Sequence, residues 1–129
     1  MDKNNLNISK IENYMYSILD NVVSDNTFAY PPETMKDSWN DVCVIDVASQ
    51  IRDYDSYGKG TVFIWLLARP LANGTKNVAR LSEMETTLNE VIASASDSTY
   101  RINRRGAYAG YDKSRKWHYN MVELNILIF

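Results

Sequence analysis

Cys43 and His118 are the only thiol and the only imidazole in the chain. A cysteine nucleophile needs a base within hydrogen-bond reach and an orienting group behind it. Both residues fall in strand-like stretches, and nothing in the sequence brings them together. A small buried thiol and a surface histidine account for them. The run Asp53-Tyr54-Asp55-Ser56-Tyr57-Gly58 opens like a calcium-binding loop. Its fifth position is Tyr57, however, and its twelfth, which should be a bidentate glutamate, is Ile64, so the ligand set fails and a hairpin loop remains. Gly58-Lys59-Gly60-Thr61 resembles part of a phosphate-binding loop, but the first glycine of that motif is missing and the run leads into a strand. Asp41, Asp46, Asp53 and Asp55 with Lys59 hold the ingredients of a metal nuclease. Only Asp46 stands out, lying mid-strand between Ile45 and Val47, and a solvated strand face explains it. The expectation is a chain with no catalytic residue, cofactor or metal site.

The strongest signal outside the core is Arg101–Tyr119, RINRRGAYAGYDKSRKWHY. Between Thr99 and Tyr119 six basic residues meet one acid, Asp112, so the segment is +5 and leaves −7 for the rest of a chain of net charge −2. That split predicts a basic patch set against an acidic body. Arginine and lysine interleaved with Tyr108, Tyr111, Trp117 and Tyr119 can supply phosphate contacts and stacking faces for a nucleic acid. The same residue types anchor protein interfaces, and they also keep a solvated edge strand from aggregating. All three readings stay open on the residues alone.

These side chains need a frame. The apolar residues Ile8, Ile11, Met15, Ile18, Leu19 and Val22 recur at helical spacing, which predicts a helix over Ser9–Val23 with Ser9 and Glu12 as a capping box. Ser24–Asn40 is polar and carries Pro31-Pro32; it reads as an irregular crossing pinned by Phe28, Tyr30 and Trp39. Asp41–Arg52 and Thr61–Arg69 are strand-like and flank the turn-rich Asp53–Gly60, predicting an antiparallel hairpin. A second helix is expected over Asn77–Ser94, and a second hairpin joins Tyr100–Tyr108 to Trp117–Phe129 through a turn near Gly110–Ser114. In the last strand Val122, Leu124, Ile126 and Ile128 share one face, while Met121, Glu123, Asn125 and Leu127 share the other. Such an apolar run must be pinned inside a sheet.

The predicted order is αββαββ: an α+β fold in which two helices cover one face of a four-stranded, mainly antiparallel sheet. The two most apolar strands, Thr61–Arg69 and Trp117–Phe129, belong side by side at the centre, with Asp41–Arg52 and Tyr100–Tyr108 at the edges. This is a ferredoxin-like sandwich with its opening strand moved to the end. At 129 residues it is a single domain, residues 1–129, with room for a core that needs no disulfide. Its 45% apolar content excludes a disordered chain. The longest apolar run, Val62–Ala68, is too short to span a bilayer. The first ten residues lack a signal-peptide core, and the lone cysteine fits a reducing compartment or a virion assembled there.

With this layout the chain resembles the small neck and tail-terminator proteins of tailed bacteriophages, the tail-completion or head–tail joining group. An opening amphipathic helix (Ile8–Val23), a crossing, the hairpin Val42–Arg69 with its Gly58/Gly60 turn, the helix Val78–Ile92 and a closing strand pair carry the resemblance. It spans nearly the whole chain and is one of layout and hydrophobic rhythm, with no diagnostic motif. It implies a structural virion protein without enzymatic activity, assembled in the host cytoplasm. It further implies a homo-oligomeric ring, six-fold or twelve-fold, docked between portal or connector and tail, with a passing contact to DNA in its lumen. Two hairpins are the expected contacts with neighbours: the tip bearing Asp53, Asp55, Tyr57 and Lys59, and the basic hairpin bearing Arg101, Arg104, Arg105, Tyr108, Tyr111, Arg115 and Trp117. Acidic residues at Asp41, Asp53 and Asp55 could meet the basic patch of the next subunit. The alternative is a ferredoxin-like module that binds nucleic acid through residues 101–119.

Overall fold

In the computed structural model, which describes residues 1–48, 50–95 and 97–129, a 3-10 turn (Lys3–Leu6) leads into helix α1 (Ile8–Leu19). The cap is Asn7, whose side chain accepts from the Lys10 N–H at 3.2 Å, so the expected Ser9 box is not the helix start. Asn7 intercepts an orphan amide two residues earlier, and serine then sits inside the first turn. The helix also ends before Val23. Asn21 takes a left-handed φ of 59°, which breaks the helical stripe, leaving Val22 exposed while Val23 turns back into the core.

The crossing contributes a two-residue strand β1 (Thr27–Phe28), parallel to β2 (Asp41–Val47). The strand expected over Asp41–Arg52 stops at Val47; Ser49 lies outside the described residues. Pairing resumes at β3 (Arg52–Asp53), which meets the start of β4 (Gly58–Ala68). The hairpin turn is therefore shorter than Asp53–Gly60, because the glycines at its end are already strand. Helix α2 (Val78–Ser94) is capped by the Asn77 side chain. The last hairpin joins β5 (Tyr100–Asp112) to β6 (Trp117–Ile128). Strand β5 runs on to Asp112, so Gly110–Asp112 is ladder and the turn begins at Lys113.

The sheet order is β1-β2-β4-β6-β5, with β3 pairing β4 off that path, and every pairing except β1–β2 is antiparallel. The two most apolar strands are neighbours at the centre, as their sequences require. The fold is α+β, two helices and a mostly antiparallel sheet, with the short β1 and β3 added to the expected four strands. Val122, Leu124, Ile126 and Ile128 of β6 are all fully buried. They share one core with Ile11, Met15 and Leu19 of α1 and Leu81, Met84 and Leu88 of α2. Both helices thus lie on one face.

The opposite face is half covered. Phe28, Met35 and Trp39 of the crossing pack on Val42, Val44, Leu67 and Trp117, with Trp65 and Tyr119 beside them. Phe28 and Trp39 pin the crossing as expected, their rings 5.3 Å apart. Tyr30 does not, at 82% exposure; Pro31 and Pro32 stand next to it, and these rather than Tyr30 line the sheet side. Arg69 fastens the crossing, donating to the carbonyls of Trp39, Lys36 and Asp37 at 2.6 to 3.0 Å and lying 5.2 Å over the Trp117 ring. No helix among the described residues is long and apolar enough to cross a membrane.

Candidate interaction surface

The residues expected to do chemistry are held apart. Cys43 on β2 and His118 on β6 are separated by the whole of β4. Burial, helped by the charge of Asp41, pushes the Cys43 thiol up to about 12, so at neutral pH it is neither nucleophile nor metal ligand. Alkylation of Cys43 in the native chain should be slower than in denaturant by about a hundredfold or more; equal rates measured with iodoacetamide would mean the core opens at β2. The four aspartates do not converge either. Asp41 pairs with Ala68 at one end of β4, and Asp53 with Gly58 at the other, roughly 33 Å along the strand. Among the described residues no three His, Cys, Asp or Glu side chains gather where they could hold a metal ion.

The candidate contact residues form two groups at opposite ends of the sheet. At one end, Lys3 bonds Asp53 at 2.7 Å and Asp55 at 3.1 Å. The bond to Lys3 holds the Asp53 carboxyl below its usual range, and the same bond raises Lys3. Tyr57 stacks on Tyr54 at 5.0 Å, Lys59 is half-buried, and Arg101 lies 5.1 Å over the Phe129 ring. Toward the other end are Tyr108, 56% exposed, and the exposed Tyr111, which packs on His118 at 4.8 Å. Trp117 is only 4% exposed and leaves the contact group: its ring lies beneath the crossing, sealed by Arg69.

The +5 segment is partly offset within the subunit, by Glu85 and Glu123 from outside it. Arg104 donates to Asn89 at 2.6 Å and reaches Glu85 of α2 at 3.6 Å. Arg105 lies 3.7 Å from Glu123 on β6. Arg115 donates to Asp112 at 2.7 Å and to the Pro32 carbonyl at 2.9 Å. Burial opposes ionisation of Asp112, but the Arg115 bonds prevail and hold its carboxyl low. On the acidic side, Asp41 accepts from Arg80 Nε at 2.8 Å and from the Ser24 hydroxyl, so it is not free for a neighbouring subunit.

What remains open is geometric. Among the described residues, strand β5 is an edge of 13 residues flanked only by β6, and at the opposite edge β2 is paired by β1 at Cys43 and Val44 alone. A cleft of about 180 Å³ lies between Pro31, Pro32 and Met35 and the sheet residues Val44, Trp65 and Tyr119. Sequence reasoning missed Arg69 and Arg80, the two cations that tie loops to the sheet and to α2. An arginine closing an apolar strand just before Pro70 was the available signal for the first. No protein-family model matches the chain, and no curated protein matches it in sequence.

Proposed function

We propose that the chain is a structural virion protein, a subunit of a six-fold or twelve-fold ring in the neck of a tailed phage that joins portal or connector to tail and catalyses no reaction. The observation that carries this reading is the sheet itself. Its closing strand is interior, and two unlike edges, β5 and β2, are left largely bare. Contacts between unlike surfaces repeat head to tail and close as rings when the rotation permits. The exposed residues at both ends of the sheet, Tyr54 and Asp55 at the tip and Tyr108 and Tyr111 on β5, are the surfaces offered to neighbours and to other virion proteins. DNA passing through the lumen would meet the exposed Lys113 and Lys116 of the β5–β6 turn.

A nucleic-acid module is the weaker reading. Base stacking on a sheet needs open aromatic faces, whereas Trp117 is buried under the crossing and Trp65 and Tyr119 are half-buried beside it. Negative-stain imaging and native mass of the purified chain test the proposal. Closed rings support it; a monomer whose oligonucleotide affinity falls steeply with salt would replace it with the module reading.

A further inference from the structure

The outer edge of β5 has two unlike halves. Tyr100–Arg105 carries three arginines and ends in a bulge between Arg104 and Gly106, devices that keep an edge from pairing. Gly106–Tyr111 has no charge and no proline, and Ala107, Tyr108, Ala109 and Tyr111 are exposed. Within that half, Gly106-Ala107-Tyr108-Ala109-Gly110 reads the same in both directions. In an antiparallel pair this symmetry lets identical strands meet about a two-fold axis. Centred on Tyr108, Ala107 faces Ala109 of the second copy, Gly106 faces Gly110, and the two tyrosines face each other.

The glycines add a second observation. Gly106 is outside the left-handed region, and a methyl group added there would touch nothing in its own subunit. Neither backbone conformation nor internal packing calls for glycine at that position. Glycine inside a strand weakens it and marks either a bulge, such as the one that ends at Gly106, or a place where another backbone comes close. Gly110 has an internal reason: an added methyl would strike the Tyr119 ring, whose hydroxyl reaches across β5 at this point. Set opposite Gly110 of the second copy, Gly106 leaves that hydroxyl room at the joint.

We propose that Gly106–Gly110 is a two-fold docking edge through which two copies of this chain join their sheets. The bulge ends the ladder on one side and the Asp112–Lys116 turn on the other. A slip of two residues would set tyrosine against glycine and lose the aromatic pair, so the register is fixed. The contact does not rest on the ring reading. It closes on itself as a dimer, and along Gly106–Gly110 it excludes a β5-to-β2 ring contact, because one strand edge pairs with one partner.

Sedimentation equilibrium of the full chain tests it, since the dimer has twice the 14.8 kDa of the subunit. The double variant Ala107→Glu/Ala109→Glu sets acid against acid on both sides of the axis and should weaken association by about tenfold or more. Ala107→Lys/Ala109→Glu sets opposite charges there and should restore it. Gly106→Val, whose Cβ meets nothing within the subunit, should weaken association without lowering the melting temperature of the subunit at a dilution where the dimer has dissociated. Circular dichroism distinguishes these outcomes from misfolding. A monomeric wild type, or equal association of the two charge variants, would overturn the proposal. A ring whose mass no variant changes would also overturn it, while leaving the ring itself intact.

Discussion

Deleting Leu124–Phe129 should leave a chain that does not fold. Leu124, Ile126 and Ile128 are fully buried. Burial of side chains of this size contributes about 1.5–3 kcal/mol each, so their loss alone removes roughly 5–9 kcal/mol from a total stability of about 5–15. The same cut removes the partners of Gly58–Val62 on one side and of Tyr100–Arg104 on the other. It would therefore strip two strands of ladder bonds and open the centre of the sheet. Circular dichroism and a thermal melt read the result. A cooperative transition surviving the deletion would mean that β6 is an accessory strand and that the remaining sheet can close without it.

The second large effect is expected at a polar junction. Asp41 accepts from Arg80 at 2.8 Å and from Ser24, while Arg80 also donates to the Val23 carbonyl at 3.1 Å. This cluster ties the turn that follows α1, the start of β2 and the first turn of α2 together. Asp41 is 14% and Arg80 31% exposed, so neither charge is well hydrated. The bond to Asp41 raises the Arg80 guanidinium above its ordinary value. Asp41→Ala leaves Arg80 half-buried with only the exposed Glu83 carboxylate, 3.2 Å from its Nη1, and should cost about 2 kcal/mol, below the figure for a fully enclosed pair. That corresponds to a melting temperature lower by about 7 °C in a domain of this size. Adding Arg80→Met should recover part of the loss, because no under-paired cation then remains. A single variant within 0.5 kcal/mol of wild type, by the order expected of surface changes, would show that the pair is solvated and incidental.

The fold was legible wherever burial on one face set the pattern. The alternation of Val122, Leu124, Ile126 and Ile128 and the nearly continuous apolar run of Thr61–Arg69 placed both strands at the centre and ordered the sheet. Element ends were less legible because local chemistry decided them. Asn7 captured the cap that Ser9-x-x-Glu12 suggested, and α1 stopped where Asp20 turns extended, just ahead of the left-handed Asn21. Charge was the least legible property. The +5 of residues 99–119 is a fact of the sequence, but Glu85 and Glu123, distant along the chain, come within ion-pair reach of Arg104 and Arg105. Trp117 read as an exposed anchor because a strand pattern reports which residues share a face, not what covers that face. The covering segment, Phe28 to Trp39, has no periodicity to announce where it lies.

Hydrogen exchange resolved to single amides tests the central claim most directly, because an interior strand opens only with the whole molecule. Amides of Val122, Leu124 and Ile126 should exchange at the slowest rate in the chain, matching global unfolding, while Ala107 to Tyr111 on the outer edge of β5 exchange faster in dilute solution. Rapid exchange along β6 would contradict the account, since a frayed closing strand could neither hold the two helices nor leave two unlike edges for assembly.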